Sequence, residues 1–479
     1  MRNHCSWSGV VADSHTSYIN QAGPVGKFRE IIDPSFKAKL EAFSYQKDAF
    51  VATRDLEYAA IFHEQGLGKT KIAIDLMLYW LRNSLVDTIL LVVKKSLIAN
   101  WEAELEVHSE LTPNILTSNP NKNYHVINSP SRVILGHYEA IKKEAERIRL
   151  LCEARRMGIV LDESQKIKNP NAALTKSFHK LAAGFCRRII LTGTPIANRP
   201  FDIWSQIWFL DQGQSLGQDF GEFREKVDLS SDLAHDTSRK LEFESSLDEI
   251  FPKISKFAVR ETKNSGQINL PDKVIHRVEA DWEPGQADIY RQVRDDLRLI
   301  VVKSGVPQED DAESILKRLL RLVQAASDTQ LITDDYSALP GKMEVLNSLV
   351  DQILDRGEKC IVWTTFNDTA KRIVDELSRC RPRMVRGRMA IDDRNRSIKA
   401  FKEDSDVRVL VATTGAAKEG LTLTVANNVI FYDRSFSLDD YLQAQDRIHR
   451  ISQERTCNVY NIILKDSIDE WVNLLLDAK

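Results

Sequence analysis

Short apolar runs recur along this 479-residue chain, each followed by a segment with helical spacing. The first half holds YAAIF (58–62), TILLVV (88–93), RVILG (132–136), GIVL (158–161) and RRIIL (187–191). The second half holds KCIVW (359–363), VRVLVA (407–412) and NNVIFY (427–432). Runs this short and this apolar read as strands buried on both faces, and helix-length spacers between them predict parallel βαβ units. The pattern occurs twice, so two α/β lobes are predicted. Between them, over roughly 209–339, charged helix-like segments such as DAESILKRLLRLVQAA dominate, and KVIHRVEA is the main strand-like run. That stretch predicts helical insertions from both lobes. The expected boundaries are an N-terminal segment 1–37, a first lobe 38–265 with a protrusion at about 209–260, and a second lobe 266–479 with a protrusion at about 283–340.

Composition narrows the classes. A prior of roughly 150 residues per domain allows about three domains, ample for large cores. No apolar run approaches the ~18 residues of a membrane span, and the first residues lack the apolar core of a secretory signal. An intracellular protein is therefore expected. Six cysteines occur with no C-x-x-C pair, which predicts reduced thiols rather than disulfides or a zinc site. The formal net charge of −3 argues against a surface coated in positive potential. Nucleic acid would have to be met by a local groove.

The chemistry begins at HEQGLGKT (63–70), a phosphate-loop pattern with His63 where the usual motif has its first glycine. YAAIF supplies the strand, Gly66 and Gly68 permit close backbone approach, and KIAIDLMLYWL supplies the helix whose positive end faces phosphate. Lys69 would reach the β- and γ-phosphates of ATP, and the Thr70 hydroxyl would hold Mg²⁺. GIVLDESQ ends a buried run with Asp162, a Mg²⁺ ligand, and Glu163, placed to orient and deprotonate water. QAQDRIHR carries Gln443, Arg447 and Arg450. On a helix the two arginines would share a face and clamp a γ-phosphate. A solvated acidic loop and a solvated basic face are the plain alternatives, and the three motifs together outweigh them.

HEQGLGKT, LDESQKIKN, LTGTP, EGLTLT and QAQDRIHRISQ, in that order, resemble superfamily-two helicase motifs, and more narrowly the Swi/Snf-type family of DNA translocases. The match runs over roughly 42–468. That family commonly has an acidic residue at the position of His63. The resemblance implies an α/β fold of two RecA-like lobes, parallel sheets flanked by helices, with helical insertions. It implies that Gln46 contacts adenine, that Gln165 senses the γ-phosphate, and that Glu419, Gly420 and Gln443 lie at the nucleotide. It also implies that Ser96, near Trp101, with Thr364 and Thr414, touches the DNA backbone, and that Thr192 and Thr194 couple hydrolysis to lobe movement. Trp101 could equally be core. RETK (260–263) and LPDK (270–273) fall where the family has its junction motif.

TPIANRPFDIWSQI and GLTLTVANNVIFYD look most like the branch containing annealing helicases and fork remodellers. The expectation is a DNA-dependent ATPase using Mg·ATP on duplex, forked or junction DNA, for fork remodelling or branch migration. A monomer is expected, in the cytoplasm of a bacterium or of a virus-infected cell. The alternatives are a chromatin- or protein-displacing remodeller, an RNA helicase and a non-catalytic nucleotide-binding scaffold.

Overall fold

A computed structural model describes residues 36–196, 199–228, 249–263, 265, 270–303, 312–334, 336–387, 389–417 and 422–477. The first sheet contains β1 (Tyr58–Ile61), β2 (Thr88–Val93), β3 (Asn114–Ile115), β4 (Val133–His137), β5 (Met157–Asp162), β6 (Arg187–Leu191) and β7 (Ala258–Val259). Its seven strands run in the order β3-β4-β2-β5-β6-β1-β7, and every pairing is parallel. Both faces are covered. Ile89, Leu91 and Val93 of β2 join the core under the helix Lys69–Arg82, while Leu90 and Val92 join the core under the helices Ala173–Ala182 and Trp204–Asp211. Burial on two faces is why these runs are continuously apolar rather than alternating.

The second sheet contains β8 (Lys273–Ala280), β9 (Cys360–Thr364), β10 (Arg383–Val385), β11 (Val409–Thr413), β12 (Asn428–Phe431) and β13 (Cys457–Leu464). Its six strands run β10-β11-β9-β12-β13-β8, again all parallel. The eight strands expected from apolar runs are present within one residue at each end, except that β11 starts two residues later than its run. The pattern did not find the two- and three-residue strands β3, β7 and β10, which are too short to show a period, nor β13. The first half of β13 alternates apolar with polar, and its Asn458 and Asn461 are used internally, by His276 and Tyr441. The stretch expected to be helical supplies an edge strand to each sheet, β7 and β8. It also holds the helices Phe220–Val227, Pro284–Lys303 and Ala312–Ser327. Residues 1–35 of the expected N-terminal segment, 229–248 of the first protrusion, and 304–311 and 335 of the second lie outside the described residues. No described helix is long and apolar enough to cross a membrane.

Parallel strands send all their C-terminal ends to one edge of a sheet, so the loops after β1, β5 and β6 emerge together. The first sheet ends at Val259 and the second begins at Lys273, and the chain between crosses from one lobe to the other.

Two buried polar side chains carry stability. Lys342, in the helix Gly341–Asp355, is wholly buried and ion-paired with Asp469 of the helix Ile468–Asp477, beneath the Tyr432 ring. Removing one partner of such a pair strands a buried charge, so Lys342→Ala is expected to lower unfolding free energy by about 3–5 kcal/mol in urea titration. His63, directly after β1, is also buried, with its pKa pushed down to about 4 by burial and then by Lys69. Unfolded histidine titrates near ~6.5, so between these values the unfolded chain binds more protons. Stability therefore falls as pH drops below ~6.5, by roughly 2 kcal/mol at pH 5 from this residue. His63→Asn should lose that part of the pH dependence, and an unchanged slope would remove His63 from the account.

Candidate functional site

The turn after β1 is built by two glycines. Gly66 and Gly68 have φ of 85° and 67°, the left-handed region that side chains resist, and Gly68 precedes the first residue of the helix Lys69–Arg82. A Cβ on Gly66 would lie 3.0 Å from Arg450 Cγ and 3.4 Å from the His449 carbonyl, so the second lobe rests directly on this loop. Lys69 Nζ donates to the carbonyls of His63 at 2.9 Å and Glu64 at 3.2 Å, curling the loop around the ammonium. Burial pulls the Lys69 pKa down to about 8 against the opposing pull of Glu163 and Asp162. Gln46 is buried against Gly68. Its amide accepts from Phe43 N at 3.0 Å and donates to the Leu67 carbonyl at 3.4 Å, bracing the loop from beneath.

Asp162 and Glu163 stand at the end of β5, one strand removed from β1 across β6. Both Asp162 oxygens are anchored: one accepts from Trp101 Nε1 at 2.8 Å, the other from Glu163 N at 2.9 Å. Burial, then the neighbouring Glu163, push Asp162 up to about 6. Burial also acts upward on Glu163, but Lys94 at 3.5 Å, Lys69, Gln165 and Arg447 bring it below the ordinary carboxylate value. One carboxylate thus resists ionising while its neighbour is held ionised. Glu163 takes a left-handed backbone, φ 55°, uncommon for a residue other than glycine.

Arg447 and Arg450 do reach this place, though not as expected. The helix Leu438–Gln445 stops before either, and both lie in the turns that follow. With no helix to align them, the tertiary packing of those turns sets their direction. Arg447 is buried, its pKa pulled down to about 9 by burial and then by Arg450, against the attraction of Glu163. Arg450 is lowered by burial as well. Its Nε donates to the Asp446 carbonyl and its Nη1 to Thr422 Oγ1, both at 2.8 Å.

The LTGTP turn joins the carboxylates through hydrogen bonds. Thr192 Oγ1 donates to Gln165 Oε1 at 2.9 Å, and the Gln165 amide donates to Glu163. Thr194 N donates back to Thr192 Oγ1 at 3.1 Å. A Cβ on Gly193 would lie 3.2 Å from Lys69 Nζ. Gln443 is buried beside the same turn, lining a cavity with Gln65 and Thr194. Thr70 is half-buried in the first turn of its helix, next in sequence to Lys69.

The expected DNA contacts divide. Ser96 is exposed in a short turn after β2. Thr414 is buried at the start of a four-residue helix. Thr364 is corrected: its side chain is fully buried and its hydroxyl donates to Asp433 at 2.5 Å, so it offers nothing to a phosphate. Trp101 is core, and serves Asp162 instead of the surface. Glu419 and Gly420 lie outside the described residues.

Several contributors escaped the sequence reading. Lys94, at the C-terminal end of β2, faces Glu163, and its signal was its position at a strand end. Tyr138 donates to the Asp162 carbonyl at 2.8 Å. Lys263 crosses between the lobes, donating to Asp446 at 2.6 Å and to the His449 carbonyl at 3.1 Å. It sits in the quoted RETK, but nothing in its spacing names a partner in the other lobe.

The donor set fits a magnesium–nucleotide ligand. A capless helix N-terminus, Lys69 and two arginines offer positive ends to phosphates. Among the described residues, no group of three or more His, Cys, Asp or Glu is placed to hold a metal alone. Thr70 and Asp162 can complete a Mg²⁺ shell only with phosphate oxygens and water, which is how this ion is usually held.

Comparison with known proteins agrees. The SNF2-related domain matches residues 53–331, and the helicase conserved C-terminal domain matches residues 341–452. The uncharacterized ATP-dependent helicase MG018 of Mycoplasma genitalium is 29% identical over 89% of this chain and 40% of its own length. The putative ATP-dependent helicase/translocase YwqA of Bacillus subtilis is 26% identical over 94% of this chain and 49% of its own. The chain thus spans less than half the length of these relatives. The SWI2/SNF2 ATPase core of Sulfolobus solfataricus in complex with double-stranded DNA is 26% identical, covers 94% of this chain and 93% of its own, and has a TM-score of 0.45. With both sheets parallel and the family match covering more than half the residues, this chain belongs to the SNF2-related family.

Proposed function

We propose that this chain is a DNA-dependent ATPase that uses Mg·ATP to move along duplex or branched DNA. The observation that carries the reading is the meeting of Lys69, Asp162 and Glu163 from one lobe with Arg447 and Arg450 from the other. A site divided between two bodies can perform its chemistry only when they are together, so turnover and lobe movement are linked by construction. The relatives' names, ATP-dependent helicase and helicase/translocase, support the same class.

In this reading the backbone of the glycine turn and Lys69 bind the β- and γ-phosphates. Thr70 and Asp162 hold the Mg²⁺, which when bound neutralises charge on the phosphate oxygens. Glu163, kept ionised by Lys94 and Lys69, orients a water and takes its proton. Arg447 and Arg450 face the charge that develops on the transferred phosphoryl group. Gln165 and Thr192 carry the position of Glu163 into the LTGTP turn. Ser96, exposed beyond β2, belongs to the surface that would track DNA. Action on forks or junctions, rather than on any duplex, is the finer proposal, and it rests on the resemblance of TPIANRPFDIWSQI and GLTLTVANNVIFYD to the branch containing annealing helicases and fork remodellers.

Hydrolysis by the purified chain should be slow alone and rise with DNA, most with a fork or four-way junction. Equal stimulation by plain duplex would leave a general translocase, and stimulation by RNA alone would move the substrate class. Glu163→Gln should lower the DNA-stimulated rate by roughly 10²- to 10⁴-fold while leaving nucleotide binding in place. An unchanged rate would remove Glu163 from the mechanism. Binding to duplex should weaken with salt at a log–log slope of about 0.9 per phosphate contact, despite the acidic net charge. A flat slope would contradict a backbone-tracking motor.

A further inference from the structure

The edge of a sheet is a row of unpaired N–H and C=O groups, and folded chains ordinarily keep such rows short, bulged or covered. Three of the four edges here are short: β3 and β7 have two residues each, and β10 has three. The fourth, β8, runs eight residues, Lys273–Ala280, with no proline and with an unbroken register against β13. Cys457 N donates to the Asp272 carbonyl at 2.9 Å and Lys465 N to the Ala280 carbonyl at 3.2 Å, so the even-numbered residues of β8 turn their backbone groups toward β13. Lys273, Ile275, Arg277 and Glu279 turn theirs outward, and among the described residues nothing bonds to those groups. The row is open to solvent and apolar where it begins: Val274 is 40% exposed and Ile275 55%.

Charged residues on an edge ordinarily keep a second strand away. On β8 they have both signs, and their order matches itself when the strand is reversed. Opposed residues in an antiparallel pair turn their backbone groups either both toward the partner strand or both away. Odd positions of β8 can therefore face only odd positions of a second β8, and even only even. Three such registers keep most of the strand in overlap. Centred on Ile275, Lys273 faces Arg277, and centred on Arg277, that residue faces its own copy. Centred on His276, Lys273 faces Glu279 at both ends, Ile275 faces Arg277, and Val274 faces Val278. Opposite charges directly across a pair of strands stabilise it and like charges oppose it, so only the last register is free of conflict. The two ions are available for it. Lys273 gives one of its three protons to Gln445 at 3.1 Å and keeps two, and Glu279 has a loose pair with Lys465 at 4.0 Å.

We propose that β8 is a self-association edge, on which a second copy of this chain pairs its own β8 antiparallel about a twofold axis at His276. The two six-stranded sheets then form one continuous sheet, and the outward groups of Lys273, Ile275, Arg277 and Glu279 are paired by those of the second copy. Nothing in this pairing depends on the ATPase reading.

The test is sedimentation velocity on the full chain over a range of concentrations, joined to a cross-link that reads the register. A reversible monomer–dimer equilibrium in the micromolar range is expected. Glu279→Lys sets like charges across the pair at both ends and should weaken the dimer about tenfold, and adding Lys273→Glu restores the match and should recover most of the loss. In the proposed register position 276 faces its own copy, with Cα atoms about 4.5 Å apart, inside the ~4.4–6.8 Å range of disulfides. Diamide, which takes up the two thiol hydrogens and leaves one S–S bond, should therefore convert His276→Cys to a dimer of doubled mass that dithiothreitol reverses. The unaltered chain and Val274→Cys, whose thiol would face Val278, should stay uncrosslinked. If His276→Cys does not melt cooperatively, the two charge variants carry the test. A chain that stays monomeric up to roughly 100 µM overturns the proposal and leaves the edge to a strand of another protein. Cross-linking of Val274→Cys as readily as His276→Cys, or a dimer indifferent to Glu279→Lys, overturns it as well.

Discussion

Arg447 is buried and Lys69 and Arg450 are half-buried beside one another, and the rest of the site follows from that burden. Burial lowers all three, and Arg450 presses on both of the others. Buried charge is tolerated only when it is matched. Here the match comes from Asp162 and Glu163 in the first lobe and Asp446 in the second. Asp162 answers poorly, since burial and its neighbour push it up to about 6. The closed arrangement is therefore short of negative charge at the place where a triphosphate would lie. A polyanion bound there stabilises the closed lobes more than the open ones, and only such a difference in affinity can drive a conformational cycle.

Geometry makes this arrangement available because every strand is parallel. The loops after β1, β5 and β6 rise at one edge of the first sheet, so the glycine turn, the two carboxylates and LTGTP meet without any long excursion of the chain. The connection after β7 runs beside the same loop: Glu64 N donates to the Glu261 carbonyl and Lys263 N donates to Glu64 Oε2, each at 2.9 Å. Lys263 then holds Asp446, next in sequence to buried Gln445 and three residues from buried Gln443. The segment linking the lobes is thus fastened both to the phosphate loop and to the turn that carries the arginines. Movement at either end is felt at the other through a few short bonds.

What the sequence made legible is what depends on local pattern. TILLVV and RRIIL are strands with the bounds their apolar runs imply, because two-sided burial forces uninterrupted hydrophobicity. HEQGLGKT was readable because positive φ needs glycine and a helix start needs no side-chain code. The arginines were legible in role and not in form: three-residue spacing suits a helix, but the chain leaves helical geometry at Asp446 with no glycine or proline to announce it. Thr364 was misplaced for a related reason. A threonine at a strand end looks available, and only its partner just after the C-terminal end of β12, Asp433, shows that its hydroxyl is already engaged. Long-range partners such as Trp101 for Asp162 and Lys263 for Asp446 have no local signature at all.

Glu163 shows how strain and signalling can be the same feature. A non-glycine residue at φ 55° carries a cost of order 1–3 kcal/mol, which its surroundings must offset. The offset comes from Lys94 and from Gln165, and Gln165 is itself held by Thr192. The bonds that aim the carboxylate therefore end in the LTGTP turn, and that turn faces the second lobe across the cavity containing Gln443. A change in charge at Glu163, as when it takes a proton, alters the bond to Gln165 and so the support of a strained backbone. In the proposed cycle this gives the turn a physical reason to respond to chemistry.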